Sequence, residues 1–141
     1  DRVPHRPHAG HETDFRMIAL ENISLRQGSF ELSGVNLRLA AGEYGVLMFN
    51  DGSVFGAPAF PLETVYDPTG AGDSFAGGFM GHIAQSGGLD DGNLRRSIVY
   101  GSVMASFNVE EFSLDGLGRL TKASLNERFR QFKQLTHFEV L

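Results

Sequence analysis

Cysteine is absent from this 141-residue chain, so neither a disulfide nor a thiolate metal site can form, and the redox character of its compartment is left open. The chain also lacks a basic excess. Twelve Lys and Arg stand against 17 Asp and Glu, a formal charge of −5, which argues against a nucleic-acid partner. No apolar run approaches the ~20 residues of a bilayer span, and no signal peptide is recognisable, so the expectation is a soluble, cytoplasmic protein with no membrane partner. A starting Met is missing as well: the chain begins at Asp1, which reads as a fragment or a trimmed end. What remains is ordinary for a globular chain, 41% hydrophobic and 21% charged, and the length suits one domain with a core.

Residues 1 to 16, DRVPHRPHAGHETDFR, have prolines, mixed charge and no apolar period, and read as a solvated arm. His5, His8 and His11 recur every third residue, and a metal site there is the competing reading, with no carboxylate or thiolate pattern behind it. From Ile18 to Leu39 the apolar positions alternate loosely, which predicts one or two strands. Asn50-Asp51-Gly52 between the apolar runs GVLMF and SVFGAPAF predicts a hairpin. Val65 and Tyr66 read as a short strand leading into DPTGAGDSFAGGF, residues 67 to 79.

A helix is predicted over 72–85, with Phe75, Phe79 and Ile83 on its buried stripe, and Ser86-Gly87-Gly88 ends it. Gly77, Gly78 and Gly81 cost about 1 kcal/mol each inside a helix, so another backbone should pack close to them. A second helix is expected over 93–107, with Asp90 or Asp91 near its start. A third is expected over 124–135, opened by a capping box at Ser124 and Glu127 and burying Leu125, Phe129 and Phe132. Strand, glycine loop and helices together indicate an α/β layered domain.

The glycine loop carries the chemistry. A helix beginning near Gly72 leaves its first N–H groups without internal partners at the positive end of its dipole. Gly70, Ala71 and Gly72 have no bulk to keep an anion away from those amides, which is the recipe for a phosphate cradle. Asp73 is then out of place for a passive anion site, but suits phosphoryl transfer, which needs a base for the attacking hydroxyl beside the anion hole. Capping of the helix by Asp73 is an equally good account of that residue on local physics alone.

DPTGAGDSFAGGF resembles the C-terminal signature of the ribokinase-like, PfkB-type carbohydrate kinases, D-T-x-G-A-G-D-x-F-x-G-G, departing from it at Pro68 and Thr69. The resemblance runs from about Gly42 to the C-terminus, takes in the GSVMASF helix, and is more specific than a lone G-x-G-x-x-G; there is no Walker A sequence. It implies a Rossmann-like layered sheet with helices, a partial ribokinase-like fold over residues 31–141, preceded by a divergent or disordered segment, 1–30. It also implies ATP-dependent transfer of the γ-phosphoryl group to a hydroxyl of a sugar or nucleoside, with ATP and Mg²⁺ as cofactors. In that scheme Asp73 is the general base, and Gly70, Ala71 and Gly72 form the anion hole. Asp67 and Thr69 stand where potassium-dependent relatives hold a monovalent cation, so K⁺ joins the expected cofactors. Thr69, Gly70, Gly72, Ser102, Ala105 and Asn108 line the nucleotide, the last three beside the adenine.

The resemblance is incomplete. The sugar-binding glycine pair, the lid of strands and the N-x-x-E motif that organises Mg²⁺ in the family are not found here, and Ala40-Ala41 stand where a helix, a strand and a lysine are usual. Two further readings therefore stay open: a catalytically silent nucleotide-binding remnant, and a dimerisation or regulatory fragment. A homodimer is considered because a sheet cut from its other strands would expose an edge and an apolar face.

Overall fold

A computed structural model of the chain describes residues 16–27, 30–42, 44–50, 52–112 and 115–140, with side-chain surroundings from residue 44 onward. His5, His8 and His11 lie outside the described residues. Four strands, β1 (Arg16–Gln27), β2 (Phe30–Gly42), β3 (Gly45–Asn50) and β4 (Ser53–Pro58), form one sheet in the order β1-β2-β3-β4. Every pairing is antiparallel. β1 faces β2 from Arg16↔Ala41 to Gln27↔Phe30, so the boundary expected at residue 30 falls inside a paired hairpin. The hairpin expected at Asn50-Asp51-Gly52 closes with Asn50 opposite Ser53 and Gly52 at φ 81°.

The helices follow the strands: α1 (Ala71–Ser86), α2 (Asp91–Val109), a single turn α3 (Asp115–Gly118) and α4 (Lys122–Thr136). Among the described residues the sheet is a meander, without the parallel crossover of a Rossmann-like layered sheet. Val65 and Tyr66 form no strand. Their β-prone side chains are exposed, and the Tyr66 N–H donates instead to the carbonyl of Val109 at 2.8 Å.

The period-2 pattern of β3 turns Val46 and Met48 inward, and β4 adds Ala57 opposite Val46. These meet Phe75, Phe79 and Ile83 of α1, Leu94, Ile98 and Val103 of α2, and Phe132 of α4 in one core. The opposite sheet face carries Leu47, Phe49 and Val54, from 42% to 61% exposed. α1 and α2 cross where Gly78 meets Gly101: a Cβ on Gly78 would come within 3.0 Å of the Gly101 Cα, and one on Gly101 within 2.8 Å of the Phe75 carbonyl oxygen. Close backbone packing was expected at Gly77 and Gly81 too, yet a Cβ at either would meet nothing within 4 Å among the described residues.

Helix ends differ from the expected ones in a physically simple way. Asp90 is the N-cap of α2, its carboxylate accepting the Asn93 N–H at 3.0 Å. The cap of α4 is Thr121 rather than Ser124. Thr121 Oγ1 accepts the Ser124 N–H, and Ser124 Oγ accepts the Thr121 N–H, so the box lies three residues earlier and Ser124 supplies its returning half. Arg128 ties α4 to α2: its guanidinium pairs with Glu110 at 2.5 Å, donates to Ser106 Oγ at 3.1 Å, and lies 3.6 Å from the Phe107 ring centroid.

Candidate functional site

The glycine loop enters α1 through Gly70, the N-cap, whose φ of 80° favours a residue without a Cβ. No side chain caps this helix. Asp73 is in its first turn and exposed, so the helix-cap account of this carboxylate does not describe it; it lies at the third helical position, free toward solvent at the positive end of the dipole. The helical ladder starts with the Ser74 N–H donating to the Gly70 carbonyl at 2.9 Å. Ala71 donates to the carbonyl of Pro68 at 3.2 Å, closing the turn. The helix thus leaves the amides of Gly72 and Asp73 without intrahelical partners. A Cβ on Gly72 would meet nothing within 4 Å, so protein packing among the described residues does not account for glycine there.

Upstream, the Asp67 carboxylate accepts the Thr69 N–H at 2.9 Å, and the hydrogen bonds from Thr69 hold its pKa below the usual carboxylate value. Asp67 and Thr69 thus form one local turn, with the Asp67 carboxylate engaged by the backbone. Asn108, expected beside the adenine, is 2% exposed and reaches the loop itself: its Nδ2 donates to the Thr69 carbonyl at 2.8 Å. Ser102 is also buried, 7% exposed, and its Oγ has no hydrogen-bond partner among the described residues, while Ala105 is half-buried against the core. Val109 is the residue that sequence reasoning missed; its carbonyl anchors Tyr66 just ahead of the loop, and a backbone contact across 43 positions leaves no local signal.

The model of the pfkB family carbohydrate kinases matches residues 36–116, more than half of the chain. The chain belongs to the pfkB carbohydrate kinase family. A cytidine kinase of Thermococcus kodakarensis is 44% identical over 55 residues, covering 38% of this chain and 19% of the relative. The solved nucleoside kinase of Methanocaldococcus jannaschii, described as an archaeal member of the ribokinase family, matches at TM-score 0.52 and 30% identity over 64% of this chain and 28% of its own. The nucleoside kinase of Burkholderia thailandensis matches at TM-score 0.50 and 29% identity over 62% and 27%. This pfkB-family chain thus spans less than a third of the length of these relatives. Among the described residues, no helix is long and apolar enough to cross a membrane.

Family membership implies ATP use, and the open space over Gly72 fits the approach of a phosphate. The fit to Mg²⁺ is poorer. Among the described residues no three His, Cys, Asp or Glu side chains gather in one place, so Mg²⁺ would rest largely on phosphate oxygens and water, as it often does. A monovalent cation would find the Asp67 carboxylate and the remaining lone pair of the Thr69 carbonyl.

Proposed function

We propose that the chain is the nucleotide-binding, C-terminal portion of an ATP-dependent carbohydrate or nucleoside kinase, its four strands being one part of a larger Rossmann-like layered sheet. The observation that carries this reading is the bare first turn of α1: a left-handed Gly70, an uncrowded Gly72 and an exposed Asp73 in succession. The Gly72 amide, flanked by those of Gly70 and Asp73, would stabilise the charge developing on the transferred phosphoryl group; Ala71 contributes mainly by being small. Asp73 would accept the proton of the sugar or nucleoside hydroxyl as its oxygen bonds to the γ-phosphorus and the bond to the β-phosphate oxygen breaks. ATP when bound supplies the phosphoryl group, with Mg²⁺ neutralising part of its charge. Ser102 and Ala105 would border the base, and Asp67 with Thr69 would hold K⁺.

A second reading has its own support. The chain spans less than a third of its relatives, and positioning of the acceptor hydroxyl, which supplies ~7–11 kcal/mol of barrier reduction in such reactions, would call on groups beyond the matched part. Alone, the chain would then bind nucleotide without turning it over. Calorimetry with ATP, followed by incubation with labelled ATP, Mg²⁺, K⁺ and a panel of sugars and nucleosides, separates the possibilities. Binding that Gly72→Val weakens, without multiple turnovers, is the expected result. Turnover abolished by Asp73→Asn would mean the chain is a complete kinase. Absence of ATP binding would reject both readings and leave a dimerisation or regulatory fragment.

A further inference from the structure

Asn108 belongs to the last turn of α2, yet its side chain neither caps its own helix nor reaches solvent. A buried amide needs partners, and this one spends a donor on the Thr69 carbonyl, 39 positions earlier in the chain. The next residue of the same turn, Val109, accepts the Tyr66 N–H. The end of α2 therefore grips the loop on both sides of Asp67 and Pro68, while Asp67 itself holds the Thr69 N–H. A Cβ on Gly70 would sit 3.5 Å from Asn108 Nδ2, an ordinary contact, so the dihedral at Gly70 and not crowding by Asn108 calls for glycine.

The Thr69 carbonyl and the Gly70 N–H belong to one planar trans peptide and point in opposite directions. Whatever fixes the first aims the second. We propose that Asn108 is a positioning residue for the anion cradle: by holding the Thr69 carbonyl against the end of α2, it turns the Gly70 N–H away from α2, toward the side from which phosphate would approach the first turn of α1. This inference rests on the nucleotide-binding reading above for its purpose, but not for its geometry. It assigns to Asn108 work on the backbone of the loop, in place of contact with the adenine.

The test uses the 141-residue chain and two readouts. Asn108→Asp keeps the shape and, when ionised, removes the donor; Asn108→Ala removes it without adding charge and serves if the first variant fails to fold. Without ligand, the Gly70 amide resonance should shift, while the amides of Ile98 and Phe132 keep their exchange protection. ATP affinity should fall by about tenfold, the scale of one lost hydrogen bond. An unmoved Gly70 amide resonance in a folded variant overturns the proposal, as does a loss of protection at Ile98 and Phe132, which would make Asn108 a residue of general stability. If the parent chain binds no ATP, the nucleotide reading fails, and the orienting role is decided by the Gly70 amide alone.

Discussion

His82 stacks on Tyr100 with ring centroids 4.3 Å apart, and Tyr100 stacks in turn on Phe129 at 4.5 Å, joining α1, α2 and α4 on one side of the core. The Nε2 of His82 is buried and has no well-formed hydrogen bond among the described residues. Burial first, and the nearby Arg96 second, hold the imidazole pKa below its ordinary 6.5. The folded state thus prefers neutral His82, and the unfolded chain binds more protons between the two pKa values. The resulting stability is fully present above pH 6.5 and is lost as pH falls through the folded-state pKa. His82→Phe, which keeps an aromatic ring for Tyr100, should flatten the dependence of Tm on pH between 7 and 5; an unchanged slope would assign it to other groups. At the loop, Asp73→Asn should leave nucleotide affinity close to that of the parent. In any form of the kinase that turns over, it should lower kcat by about 10²–10⁴, the usual contribution of a positioned base, as read by a phosphotransfer assay.

The helices divide into ends set by local chemistry and faces set by packing. Asp90→Ala removes the N-cap of α2 and should cost about 1 kcal/mol, measurable as a lower denaturation midpoint with unchanged m. Gly101→Val forces a branched side chain into the Phe75 carbonyl and should cost at least about 1–3 kcal/mol, the range for overpacking. What the sequence made legible follows the same division. The stripe of Phe75, Phe79 and Ile83 was readable because burial at i, i+4 and i+8 is written in residue type, and all three are buried. The glycine loop and its helix were readable for the same local reason. Thr121 was harder, because Ser124 and Glu127 offered a rival capping pattern and only the structure shows which residue has extended backbone at the helix start. The partner of Asn108 was not readable at all, since Thr69 and Asn108 meet only when α1 folds back on α2. Gly77 and Gly81 misled because glycine permits close approach without requiring it, and a Cβ at either would meet nothing within 4 Å among the described residues.

For the molecule as a whole, the sheet presents one face to the helices and leaves Leu47, Phe49 and Val54 on the other, with β4 at an edge among the described strands. Replacing Phe49 with Lys should leave the fold intact, since the side chain is 43% exposed, and should lower concentration-dependent association in sedimentation. Equal sedimentation of parent and variant would show that this face does not draw chains together. The crossing of α1 and α2 has a consequence for how the chain can vary. Any single-base change that replaces a glycine codon's residue supplies a side chain, so no one-step neighbour of Gly101 escapes the Phe75 carbonyl oxygen 2.8 Å from its would-be Cβ. Gly78 is slightly less confined: Met104 Cγ, at 2.7 Å from its would-be Cβ, can be removed by a smaller residue at 104, but the Gly101 Cα and the Cβ at 104, both at 3.0 Å, stay. A saturation library should therefore admit at most alanine at 78, and that together with a smaller residue at 104, while position 101 stays glycine.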